Sequence, residues 1–191
     1  MGGDRGRPHP AGGGGPGGAR WRASGWDYLV ILAWLAVLTV AGFAVRALLP
    51  PAPTGEIAAP AADAVVFALT VLPVWVYLTA TEAGRSNASW GKRRTGLRVT
   101  GADGGRPGVG RVALRNAVKL LPWQLAHVAV ARILLEPTAT GVIAVTYALS
   151  LVLPVVSIVM AWRDPWHRAL HDRVAGTRVT TTWHRVGDAR R

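Results

Sequence analysis

The chain has no cysteine, which removes disulfide staples, thiolate metal sites and thiol nucleophiles together. Acidic residues are scarce, with 10 Asp+Glu against 22 Lys+Arg and a net charge of +12. Charges of both signs make up only 17% of the 191 residues, while half are hydrophobic and the mean hydropathy is +0.26. That apolar content excludes a disordered chain. A strongly basic charge and an apolar composition coexist only if they are segregated, and here they are, as uncharged runs alternating with arginine-rich segments. The pattern excludes a soluble globular enzyme.

Recognisable chemistry is missing as well. Gly91-Lys92 has no glycine five residues before it and is followed by Arg93, so it is no phosphate loop. There is no pair of catalytic carboxylates, no Ser/His/Asp set and no cofactor loop. The sequence therefore reads as a non-enzyme with no cofactor. The basic groups lie along the edges of apolar runs, where membrane topology accounts for them, so nucleic acid is not an expected partner.

Three apolar runs stand out. Residues 28–45 and 64–81 are each 18 residues without a charge, about 27 Å as helix and close to the thickness of a bilayer core. Pro73 predicts a kink in the second. A third run, 137–162, contains a helix over 142–162. Residues 120–131 are uncharged for only 12 positions, bounded by Lys119 and Arg132. This segment is either a surface-lying helix or, extended to Glu136, a span whose end charges snorkel.

Charge parity decides between them. Lys+Arg number four before the first run, nine from Arg85 to Lys119 and seven from Arg163 onward, while residues 48–63 and 133–141 between the runs have one Glu-Asp pair and one Glu but no Lys or Arg. The positive-inside rule then sets both tails and the central loop in the cytoplasm, which requires residues 120–136 to cross. The expected fold is an all-α membrane protein with four spans (28–47, 63–81, 120–136, 142–162), N-in and C-in. Residues 1–19 read as a disordered Gly/Pro-rich tail, 20–180 as the membrane domain with a cytoplasmic loop over 82–119, and 181–191 as a basic tail. No internal repeat is read from the sequence.

In the loop, residues 97–100 alternate before a Gly-rich turn, and 177–181 alternate after Gly176. Two short strands on one side of the membrane form a small two-stranded sheet in this reading. Arg111, Arg115 and Lys119 recur every four residues, predicting an interfacial amphipathic helix whose basic stripe contacts anionic lipid headgroups. Ser24-x-x-Asp27 is either a capping box, or lies inside a helix that starts earlier and sets Arg20 two turns before Asp27 on one face. His167 and His171 with Asp172 have helical metal-ligand spacing but no second ligand cluster, and no metal is assigned. His127, in the third span, is a candidate proton or ion relay with Asp27, or a neutral histidine bonded to Thr146 or Ser150.

Three segments resemble the RDD family of bacterial membrane proteins, named for one arginine and two aspartates. Arg20 (or Arg22) with Asp27 resembles the family's first arginine and aspartate. The stretch from Asn87 through Gly91-Lys92 and Gly96-Leu97-Arg98-Val99 is similar to its Gly-Lys-x-x-x-Gly-Leu-Arg-Val signature. Leu170-His171-Asp172 with Ala175-Gly176-Thr177 is similar to its Leu-His-Asp-x-x-Ala-Gly-Thr segment, making Asp172 the second aspartate. The resemblance implies a cell-membrane location and lends no general activity. Cation/proton exchange, suggested for some relatives, makes a small antiporter the alternative to an accessory or scaffold protein that recognises lipid, another membrane protein or a second copy of itself. Confinement of the signature residues to one membrane edge predicts charge pairing of Asp27 with Arg20 or Arg22, and of Asp172 with the Lys92–Arg98 segment.

Overall fold

A computed structural model describes residues 16–49 and 58–182. The element order is α1 (Pro16–Leu48), α2 (Ala59–Val66), a π-helical turn (Phe67–Val71), α3 (Leu72–Ala83), α4 (Trp90–Arg94), β1 (Leu97–Gly101), α5 (Val109–Leu135), α6 (Thr140–Arg163), α7 (Leu170–Val174) and β2 (Thr177–Thr181). Four helical stretches are long and apolar enough to cross a membrane: Gly18–Leu48, Ala59–Ala83, Val109–Leu135 and Thr140–Arg163. The shortest has 24 residues, about 36 Å, which exceeds a bilayer core. Their outward faces carry Leu32, Val40, Phe43, Leu134, Val145 and Val155, an apolar exterior that suits lipid rather than water.

The buried apolar core is small and joins three spans. Ile31 of α1, Val71, Val74 and Leu78 of the second span and Leu120 of α5 pack together, flanked by Leu35, Trp75, Tyr77 and Trp123. The expected disturbance at Pro73 takes the form of the π-helical turn just before it. Proline has no N–H to bond the carbonyl four residues back, and the Trp34 indole Nε1 donates to that oxygen, Leu69 O, at 2.9 Å. A cross-helix bond thus stands in for the missing backbone one.

The two strands pair antiparallel, Val99 opposite Val179, with Arg98 opposite Thr180 and Thr100 opposite Arg178. Each is launched the same way. A tight turn with a left-handed non-glycine residue (Asn87, His167) precedes a five-residue helix, then a left-handed glycine (Gly96, Gly176), then the strand. Matching backbone bonds recur 80 residues apart: Asn87 N to Gly84 O and His167 N to Asp164 O, then Thr182 N to Gly96 O and Ala102 N to Gly176 O. Arg93, Gly96, Arg98, Val99 and Thr100 recur as Arg173, Gly176, Arg178, Val179 and Thr180. Each unit follows a span of similar length, 25 and 24 residues. The described residues therefore hold this unit twice, an internal repeat that the sequence reading denied. A positive φ at Gly96 and Gly176 admits glycine far more readily than any residue with a Cβ, so these two positions survive in both copies.

Three boundaries move. Helix α1 starts at Pro16, so residues 16–19 are helical rather than tail; residues 1–15 and 183–191 lie outside the described residues. Ser24 and Asp27 fall well inside α1, which removes the capping box. The stripe Arg111, Arg115, Lys119 and the third span form one continuous 27-residue helix. Nothing between Lys119 and Leu120 breaks a helix, and Pro122 is accommodated inside it.

Candidate functional site

The signature residues gather where α1, α3, α4, α5 and α7 meet, around an acid the sequence reading passed over. Glu82, at the end of α3, has no solvent exposure. Its Oε1 accepts from Lys92 Nζ of α4, and its Oε2 from Arg115 Nη1 of α5 at 2.7 Å. Arg115 Nε donates to Asp172 Oδ1 of α7 at 2.9 Å. Lys92, Glu82, Arg115 and Asp172 thus form a buried chain of alternating charge that ties four separate segments together. Lys92 and Asp172 occupy equivalent positions in the two repeats, the third residue of each short helix.

Asp172 has further partners. Thr177 Oγ1 donates to its Oδ1 at 3.3 Å and the Ala169 N–H to its Oδ2 at 3.3 Å. Burial works to raise its carboxyl, but the Arg115 guanidinium overrides that and holds it below the usual carboxylate range. His171 beside it is pushed down to about 3, by burial first and then by Arg115, so its contact with Asp172 at 3.7 Å involves a neutral imidazole at pH 7.

Asp27 binds backbone and hydroxyl rather than arginine. Its Oδ2 accepts from Ser89 Oγ at 2.6 Å and its Oδ1 from the Gly91 N–H at 2.8 Å. This fastens the start of α4 to α1 so closely that a Cβ on Gly91 would lie 2.1 Å from Ala23 O and 2.9 Å from Asp27 Oδ1. Glycine is required there by contact, not by dihedral angle. Trp26 packs edge-on against Trp90 at 5.4 Å, and the Arg94 guanidinium lies over both rings.

Both expected arginine pairings are therefore replaced. Arg20 shares a helix face with Asp27 but donates to His167 O and to Val179 O, holding the second repeat's turn and strand against α1. Arg22 is exposed and approaches no carboxylate among the described residues. Arg98 sits half-buried in β1 with its Nε unpartnered among the described residues, and Asp172 takes Arg115 instead of the Lys92–Arg98 segment. Arg98 lies on the strand face opposite the buried Leu97 and Val99. Gly96 serves the turn. Of the stripe assigned to headgroups, Arg111 is exposed, Arg115 is 2% exposed within the charge chain, and Lys119 lines a cavity. His127 is not bonded to Thr146 or Ser150, whose hydroxyls return to carbonyls of their own helix; Trp123 stacks on it and donates from Nε1 to its Nε2 at 3.3 Å, and its Nδ1 has no partner among the described residues. No hydrogen bond among the described residues links His127 to Asp27. His167 stands in the turn before α7, so it and His171 do not share a helical face.

Asp164 is a second acid the sequence reading missed. It accepts from the Trp166 and Arg168 N–H groups and from the Arg168 and Arg173 guanidinium groups, and the Arg168 bonds hold its carboxyl well below the usual range. Its position straight after a span, among basic residues, was the available signal. Glu82 gave the same one.

At the opposite end of the helices, Arg132 of α5 pairs with Asp63 at 2.5 Å and with Glu136 at 3.3 Å. Beside the charge chain, a cavity of about 710 Å³ opens between α1 on one side and α5 and α6 on the other. Arg20, Asp27, Lys92, Arg115, Lys119 and Asp172 close one end, and Tyr28, Trp123, Leu151, Leu153 and Ile158 line the rest.

The sequence model of the RDD family matches residues 16–176. No curated protein matches the chain, and no solved structure does.

Proposed function

The chain belongs to the RDD family, and from that premise we propose that it is a non-enzymatic accessory or scaffold protein of the plasma membrane, with both termini in the cytoplasm. The observation that carries this reading is how completely the signature acids are occupied. Both oxygens of Asp27 and both of Glu82 already hold donors from other segments, and Asp172 holds three. Carboxylates so engaged act as clamps. A cation carrier needs carboxylate oxygens that exchange partners with an ion, whereas these fasten the strand module to the spans. The cytoplasmic placement of that module rests on its charge, since Arg85 to Lys119 carries nine Lys+Arg. Its exposed basic residues, Arg93, Arg94 and Arg111 among them, suit anionic headgroups or an acidic partner.

The internal repeat favours a second reading, because secondary transporters are commonly built from repeats with a site between them. Cation-driven proton flux in proteoliposomes separates the two. The accessory reading expects wild type to match empty vesicles. Robust flux that disappears in Asp27→Asn establishes the antiporter instead.

A further inference from the structure

The cavity between α1 and α6 has an asymmetry that clamping does not use. Four cations line it, Arg20, Lys92, Arg115 and Lys119, against two carboxylates, Asp27 and Asp172, with a third, Glu82, behind the wall on Lys92 and Arg115, leaving one positive charge in excess in this group. His171 is neutral at pH 7. The surplus falls at a definite place. Lys92 and Arg115 have carboxylate partners and Arg20 is bonded to two carbonyls, but Lys119 has no hydrogen-bonding or ionic partner among the described residues and lines the cavity. An unpaired ammonium at the mouth of an apolar space is costly unless an anion joins it.

The remaining walls are apolar and aromatic: Trp123, Leu151, Leu153, Pro154 and Ile158 lie beyond the charged end. The rim is open, with Tyr28, Leu151 and Trp162 each more than half exposed between the two helices. These helices span the membrane in the reading above, so the rim faces acyl chains. A soluble anion satisfies Lys119 and leaves the apolar walls unfilled. A neutral lipid does the reverse.

We propose that the cavity binds one anionic phospholipid drawn laterally from the bilayer, its phosphate at Lys119 and Arg20 and the upper part of one acyl chain along α5 and α6. The site is distinct from surface attraction of headgroups to exposed arginines, because Lys119 lies between helices and the lipid enters from the side. It does not depend on the choice between accessory protein and transporter.

The test uses full-length protein in a neutral detergent, with native mass spectrometry for stoichiometry and thermal unfolding for linkage. The probes are dioleoyl phosphatidylglycerol, dioleoyl phosphatidylcholine and inorganic phosphate alone. One phosphatidylglycerol retained per chain with a raised midpoint, and neither effect with phosphatidylcholine or phosphate, is the expected result. Lys119→Gln should weaken phosphatidylglycerol retention at least tenfold while leaving the lipid-free midpoint unchanged or higher, since it removes an unpaired charge. Ser157→Phe, which fills the apolar arm, should block retention without touching any charge. Equal retention of the two lipids, phosphate stabilising as well as phosphatidylglycerol, or unaltered retention in both variants would each overturn the proposal.

Discussion

Replacing Glu82 by glutamine tests the charge chain at its centre. Glu82 is fully buried and is the only carboxylate that Lys92 reaches among the described residues, while Arg115 keeps Asp172. Glutamine preserves shape and removes the charge, so the surrounding cluster goes from one excess positive charge to two. Leaving a buried ion uncompensated typically costs about 3–5 kcal/mol, a factor of roughly 10² to several thousand in the unfolding equilibrium at ~1.4 kcal/mol per tenfold. Lys92→Met in the same background removes the cation left stranded, so the double variant should recover at least ~1 kcal/mol relative to the sum of the singles. Reversible unfolding in mixed detergent and dodecyl sulfate micelles, followed by circular dichroism, measures all four species. A Glu82→Gln cost below about 0.5 kcal/mol, or strict additivity of the pair, would refute the reasoning.

Other consequences follow from single contacts. Gly91→Ala drives a methyl into Ala23 O and should cost more than 1 kcal/mol by displacing α4, whereas Gly42→Ala, with open space around it, should be neutral; the same unfolding assay compares them. Trp34→Phe strands Leu69 O and should cost ~1–3 kcal/mol, but less in a Pro73→Ala background, where a backbone N–H returns to that carbonyl. His171 is pushed down to about 3 when folded against an ordinary 6.5, so the unfolded chain binds the extra proton between those values. Stability therefore falls as pH is lowered from 6.5 toward 3, by up to ~1.4 kcal/mol per pH unit, and Asp172, whose carboxyl is also lowered, adds loss in the same direction at the acid end. His171→Asn should flatten the slope between pH 6.5 and 5 in a pH series of unfolding midpoints.

The membrane architecture was legible because long uncharged runs and turn glycines act locally. Runs of 18 residues report helices long and apolar enough to cross a membrane, and alternation beside a Gly-rich turn and after Gly176 reports the two strands. The site was legible as a list and not as a wiring diagram. Asp27, Lys92 and Asp172 announced themselves by motif, but their partners depend on how spans pack. Arg115 sits in a stripe that reads as headgroup-facing until α7 is brought against it. Glu82 ends an apolar run and looked like a mere boundary, although an acid at that edge amid nine basic residues is out of place unless paired. The repeat escaped because its matching residues, Arg93 to Thr100 and Arg173 to Thr180, are few and lie 80 positions apart, and the third residue of the short helix changes from Lys92 to Asp172.

Since the chain has no cysteine, single introduced thiols report sidedness without background. Ala102, in the turn after β1, and Thr138, between α5 and α6, are both exposed and lie at opposite ends of α5. The most direct measurement is labelling of Ala102→Cys and Thr138→Cys in intact cells with a membrane-impermeant maleimide. A cytoplasmic charge-clamped module beneath four spans requires Thr138→Cys to label from outside and Ala102→Cys to label only after lysis. Labelling of Ala102→Cys in intact cells, with Thr138→Cys protected, would contradict it.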